Sequence, residues 1–154
     1  MNTIAAIAIA LGKAQAPEFS EYAMTCVSNA RALARTLISQ GASLVTGGTD
    51  NHMLVLDSVQ SFGINGRVAE ETLDQVAITT NKQIIPDDPN PPLRPSGIRI
   101  GTPAATTRGF REVEMERLGH WIVEALAAHQ DAAALERIRR EVEQLCSGFP
   151  VPGL

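Results

Sequence analysis

Lysine is nearly absent from the chain. Lys13 and Lys82 are the only two among 154 residues, so any covalent amine chemistry would have to use one of them. Cysteine is as scarce: Cys26 and Cys146 stand 120 positions apart, without the CxxC spacing of a zinc site or redox pair, and both are expected to be reduced and buried. No basic block offsets the formal charge of -4. That excludes the electrostatic footprint of a nucleic-acid binder and favours a small metabolite or a protein as partner. Long hydrophobic runs are missing too. The longest is "IAAIAIAL", Ile4 to Leu11, far short of the roughly 20 residues that span a bilayer. Followed by "AQA", it mimics a signal-peptide core, but no Lys or Arg precedes it and Lys13 interrupts the approach to the cleavage site. We read it as an alanine-rich helix, buried on most sides, in a cytoplasmic protein.

What is present fits one domain with its own core. Phe19, Tyr22, Cys26, Ala30, Leu33 and Leu37 recur at helical spacing after Pro17, and Gly41 is a stop signal, which predicts a long amphipathic helix. "SLVTGG" and "HMLVLD" read as two strands joined by a tight turn of Gly47, Gly48, Thr49, Asp50 and Asn51. A short helix is expected over Gly66 to Val76, then a strand at "AITT". Five prolines between Pro86 and Pro95 forbid regular hydrogen bonding and predict an extended surface loop. "GIRIG" is a strand, and two helices follow, Arg111 to about Ala128 and Asp131 to Cys146, the second capped by Asp131. This order is that of an α+β domain, helices packed on a short, mainly antiparallel sheet in two layers.

Arg99 is the strongest chemical candidate. Alternation puts Ile98 and Ile100 on one face of its strand and Arg99 on the other, with Gly97 and Gly101 leaving room beside it. Such a guanidinium either offers a planar fork to a carboxylate or phosphate or pairs with an internal acid as a structural arginine. The other candidates are weaker. Asp50, Asn51 and His52 are explained by turn chemistry. His120 and His129 lie nine apart, the wrong interval for a two-histidine metal face, so no metal site is expected. "TGGTD" lacks the patterns that cradle phosphates. Asp87 and Asp88 are expected to be solvated, and Lys82 to be a binding or surface residue.

Three stretches in order, "LVTGGTDNHMLVLD", "NKQIIPDDP" and "SGIRIGTPAATTRGF", resemble the C-terminal part of serine hydroxymethyltransferases, and the similarity runs from about residue 1 to the end. The resemblance implies a small domain like the C-terminal domain of fold-type I pyridoxal-phosphate enzymes, formed by residues 17–154. Residues 1–16 would be an apolar helix packing on a large domain absent from these residues. It further implies an enzyme that uses pyridoxal phosphate to move a hydroxymethyl group between serine and tetrahydrofolate. In that family the arginine matching Arg99 grips the amino acid's α-carboxylate. The position of Gln83 is an asparagine that contacts folate, and the loop near Leu93 lines the folate site through its backbone. Gln83 keeps the amide but adds a methylene. The family's T-x-T-T-H-K-T segment, which carries the cofactor lysine, has no counterpart here, so the isolated chain is expected to be inactive, with no catalytic residue of its own. It would act as part of a homodimer or with a complementing large-domain chain. The alternative is an orphaned, non-catalytic dimerisation or interaction domain, or a degenerate gene fragment.

Overall fold

The computed structural model describes residues 2–153; Met1 and Leu154, the outer ends of the two expected segments, lie outside the described residues. Helix α1 (Asn2–Ala14) leads into α2 (Pro17–Ser39). Strands β1 (Ser43–Leu44) and β2 (Met53–Asp57) follow, then helices α3 (Ser58–Phe62) and α4 (Gly66–Gln75). Strands β3 (Asn81–Gln83) and β4 (Gly97–Gly101) precede helices α5 (Pro103–Thr107), α6 (Glu112–Ala127) and α7 (Ala132–Ser147). The four strands form one antiparallel sheet in the order β1-β2-β4-β3. The expected α+β architecture of two layers is therefore the observed one.

One face of the sheet makes the core. Leu54 and Leu56 of β2 and Ile98 and Ile100 of β4 are buried against Leu33 and Leu37 of α2, Leu73 of α4 and Ile122 and Leu126 of α6. Alternation along β2 and β4 places every second side chain on this face, as a half-covered strand requires. Caps set the helix starts: Asn65 Oδ1 accepts from the N–H groups of Arg67 and Val68, and Asp131 Oδ1 from those of Ala133 and Ala134. Helices α6 and α7 are clasped by Trp121, which donates its indole N–H to Glu141 at 2.7 Å, and by Arg137, which pairs with both Glu124 and Glu141.

Several expectations are corrected. Helix α1 forms, but none of its residues is buried: Ile4 is 68% and Leu11 62% exposed, because no part of this core reaches it. The inward stripe of α2 begins at Cys26, and Phe19 is 45% exposed. "AITT" is not a strand. Ala77 takes φ +60° just beyond α4, Ile78 drops into the core, and pairing with β4 starts only at Asn81. Helices α3 and α5 are too short for a periodicity to betray them. Both cysteines are free, but Cys146 is only half-buried.

Helices α2 and α6 cross at Gly119. A Cβ there would stand 2.8 Å from Thr36 Cγ2 and 2.9 Å from its Cβ, and Thr36 is buried and β-branched, hence stiff. Gly119→Ala gains about 1 kcal/mol of helix propensity and loses about 1–3 kcal/mol by overpacking. We expect a net destabilisation, read as a lower midpoint in urea; a raised midpoint would mean that the helices separate without cost.

Candidate functional site

The face of the sheet opposite the core is open, and the register decides what stands on it. In antiparallel pairing, directly opposed residues share a face. Arg99 is opposed by Val55 on β2 and by Asn81 on β3, while Ile98 and Ile100 are buried on the other side. The expected alternation is therefore observed, and Arg99 is exposed. Asn81 Oδ1 accepts a hydrogen bond from Arg99 Nε at 3.2 Å. Among the described residues, Arg99 makes no ion pair and its terminal nitrogens donate to no side chain. The concavity around it is lined by His52, Met53, Thr79, Thr80, Asn81 and Gly101. This arrangement steadies the guanidinium by one edge and leaves a two-nitrogen fork for a planar anion.

Asn81 is the partner that sequence reasoning missed. Its signal was the "NK" pair just before the proline loop, but only the register shows that it faces the arginine. The room expected beside Arg99 exists at Gly101, where a Cβ would meet only ordinary contacts. At Gly97 it does not exist: Ile85 Cγ2 would lie 2.7 Å from a Cβ there.

Gln83 shares the open face. It opposes Gly97 and stands two residues from Asn81, a diagonal neighbour of Arg99, with its Nε2 donating to the Ile84 carbonyl at 3.0 Å. Leu93 is 78% exposed on a turn closed by the Arg94 N–H to the Pro91 carbonyl at 2.8 Å. Lys82 points the other way. It opposes Ile98, and its ammonium pairs with Glu70 of α4 at 2.8 Å while its N–H donates to the same carboxylate. The Lys82 hydrogen bond outweighs partial burial and holds the Glu70 carboxyl below the usual carboxylate range. Asp50, Asn51 and His52 behave as a turn: Asn51 Oδ1 accepts from the Met53 N–H, and Asp50 pairs with Arg31 at the surface. Asp88, expected to be solvated, is instead held by hydrogen bonds from the N–H groups of Ile85, Asn90 and Ser96 and from the Ser96 hydroxyl. Among the described residues no cluster of His, Cys, Asp or Glu is grouped to hold a metal ion, and no helix is long and apolar enough to cross a membrane.

Fold and site define a small α+β domain, one sheet face sealed by helices and the other presenting a steadied arginine fork. Its relatives are specific. The family model described as serine hydroxymethyltransferase matches residues 1–122. The serine hydroxymethyltransferase of Myxococcus xanthus is 50% identical over 151 residues, 98% of this chain. That of Acidobacterium capsulatum is 48% identical over 153 residues, 99% of this chain, and that of Koribacter versatilis 46% over 151 residues. The chain belongs to the serine hydroxymethyltransferase family. It spans about a third of the length of these curated relatives, 36% of the first two and 35% of the third.

Proposed function

We propose that these residues act as the C-terminal part of a cytoplasmic serine hydroxymethyltransferase, which converts serine and tetrahydrofolate to glycine and methylenetetrahydrofolate. Arg99 would clamp the α-carboxylate of the amino acid, and Gln83 and the Leu93 turn would form part of the folate site. The observation that carries this reading is the Arg99 fork on the open face, held at one edge by Asn81 inside the "SGIRIGTP" stretch. A bidentate guanidinium fixes both position and orientation of a carboxylate, so its contribution is positioning rather than proton transfer.

The residues present do not fit pyridoxal phosphate. Lys82 is committed to Glu70 on the face away from Arg99, and Lys13 lies on the exposed helix α1. We therefore assign the cofactor to the large domain of the complete enzyme and no reaction step to it here. The exposed Ile4, Ile7, Ile9 and Leu11 of α1 would pack on that domain, residues 17–154 forming the small one, as a homodimer or with a complementing chain.

The test is complementation. These residues, expressed alone and together with the pyridoxal-phosphate-binding part of a family member, are assayed for glycine and methylenetetrahydrofolate formed from serine and tetrahydrofolate. Turnover is expected only in combination. A combination that assembles yet turns nothing over would favour a non-catalytic association domain, for which the exposed apolar helix α1 would be the natural surface.

A further inference from the structure

The proline-rich segment between β3 and β4 has almost no backbone ladder of its own, since Pro86, Pro89, Pro91, Pro92 and Pro95 bring no N–H. One side chain replaces that ladder. Asp88 Oδ2 accepts from the Ser96 N–H at 2.9 Å and the Ile85 N–H at 3.3 Å. Its Oδ1 accepts from the Asn90 N–H at 2.9 Å and the Ser96 hydroxyl at 2.6 Å. Asn90 closes the ring by donating its Nδ2 hydrogen to Ser96 Oγ at 2.9 Å. Four donors converge on one carboxylate, which is the full accepting capacity of the ionised group.

Ser96 is itself anchored. It is 2% exposed, and its carbonyl accepts from the Ser58 N–H at 2.9 Å and the Ser58 hydroxyl at 2.8 Å, at the start of α3. The neighbouring Pro95 carbonyl accepts from the Gly66 N–H at 2.6 Å, at the start of α4. The loop from Ile85 to Ser96 is thus tied at both ends to one carboxylate and, through Ser96, to the rigid core. Leu93 rides on its outer turn. Partial burial works to raise the Asp88 carboxyl, but the hydrogen bonds from Ser96, Asn90 and Ile85 outweigh it and hold the group at about 2, so it stays an acceptor near neutral pH.

We propose that Asp88 is a positioning residue for folate: it holds the 85–96 loop in one conformation, so the Leu93 turn is already ordered when the tetrahydrofolate arrives, without contributing to the grip on the amino acid. The inference rests on the function proposed above. A loop ordered in advance loses less conformational freedom on binding, and the difference is read in the affinity for the ligand the loop meets. Asparagine cannot replace the carboxylate, because its amide nitrogen would face N–H donors on whichever side it took.

The experiment uses the complete enzyme containing these residues. In Asp88→Ala the KM for tetrahydrofolate is expected to rise roughly tenfold, with the KM for serine within about twofold of wild type. Faster amide exchange is expected at Ile85, Asn90 and Ser96 but not in α6 or α7. Ser96→Ala, which removes one hydroxyl donor and leaves the three N–H donors, should fall between the two; it carries the test should Asp88→Ala fail to fold. Equal rises in both KM values, or faster loop exchange with an unchanged tetrahydrofolate KM, would overturn the proposal. Arg99→Ala measured in parallel separates the failures. Serine binding retained there sinks the functional reading and this inference with it, whereas serine binding lost there with an unaltered tetrahydrofolate KM in the Asp88 variant sinks the inference alone.

Discussion

Replacing Arg99 by alanine is expected to weaken amino-acid binding by the complete enzyme severely while leaving this domain folded. A hydrogen bond to a charged group contributes about 1.5–3 kcal/mol, so loss of a two-bond fork weakens serine or glycine binding by roughly a hundredfold or more. Arg99→Lys keeps the charge but not the planar fork, and should recover only part of the affinity. Stability should hardly respond. The side chain is exposed, and among the described residues its one recorded hydrogen bond is to Asn81; surface changes of this kind stay within about 0.5 kcal/mol. Calorimetric titration with serine, beside thermal unfolding of the same variant, checks both halves. Unchanged affinity would leave the Arg99 fork without a role in amino-acid binding and sink the proposed function.

Gly66→Ala is expected to do the reverse, damaging the fold first and the site through it. Gly66 opens α4 against the chain entering β4. A Cβ there would run into the Gly97 carbonyl oxygen, stand 2.9 Å from the carbonyl carbon and lie 3.1 Å from the Pro95 oxygen. All three are backbone atoms and cannot rotate away. The helix-propensity gain of at most about 1 kcal/mol is outweighed by an overpacking cost at the upper end of about 1–3 kcal/mol. The melting temperature should fall by roughly 4–8 °C. Because the displaced strand carries Arg99 two residues beyond Gly97, amino-acid affinity should fall as well. A variant that melts like wild type would show that α4 can shift without moving β4.

The long elements were legible because their patterns repeat. Helix α2 shows apolar positions over several turns from Cys26 to Leu37, and α7 shows Leu135, Ile138, Val142 and Leu145 behind a capping Asp131. The strand of Arg99 was equally plain, since alternation between Ile98 and Ile100 sends the intervening side chain to the other face. Short elements escaped. Helices α3 and α5 have five residues each, less than two turns, and β3 has three, so neither period repeats often enough to be read.

By itself the sequence determined the layer architecture, the outward turn of Arg99 and, through its quoted stretches, the family. All of these depend on local periodicity or on motif identity, which a linear string contains. Only the tertiary structure decided that Asn81 faces Arg99 while Lys82, one residue on, turns away to Glu70, because strand register inverts the face at every residue. Only it decided that Asp88 gathers donors from Ile85, Asn90 and Ser96, since a loop without a ladder takes its shape from whichever acceptor its free N–H groups can reach. And only it showed α1 uncovered, because whether an apolar face is buried depends on what stands opposite it and not on the face itself.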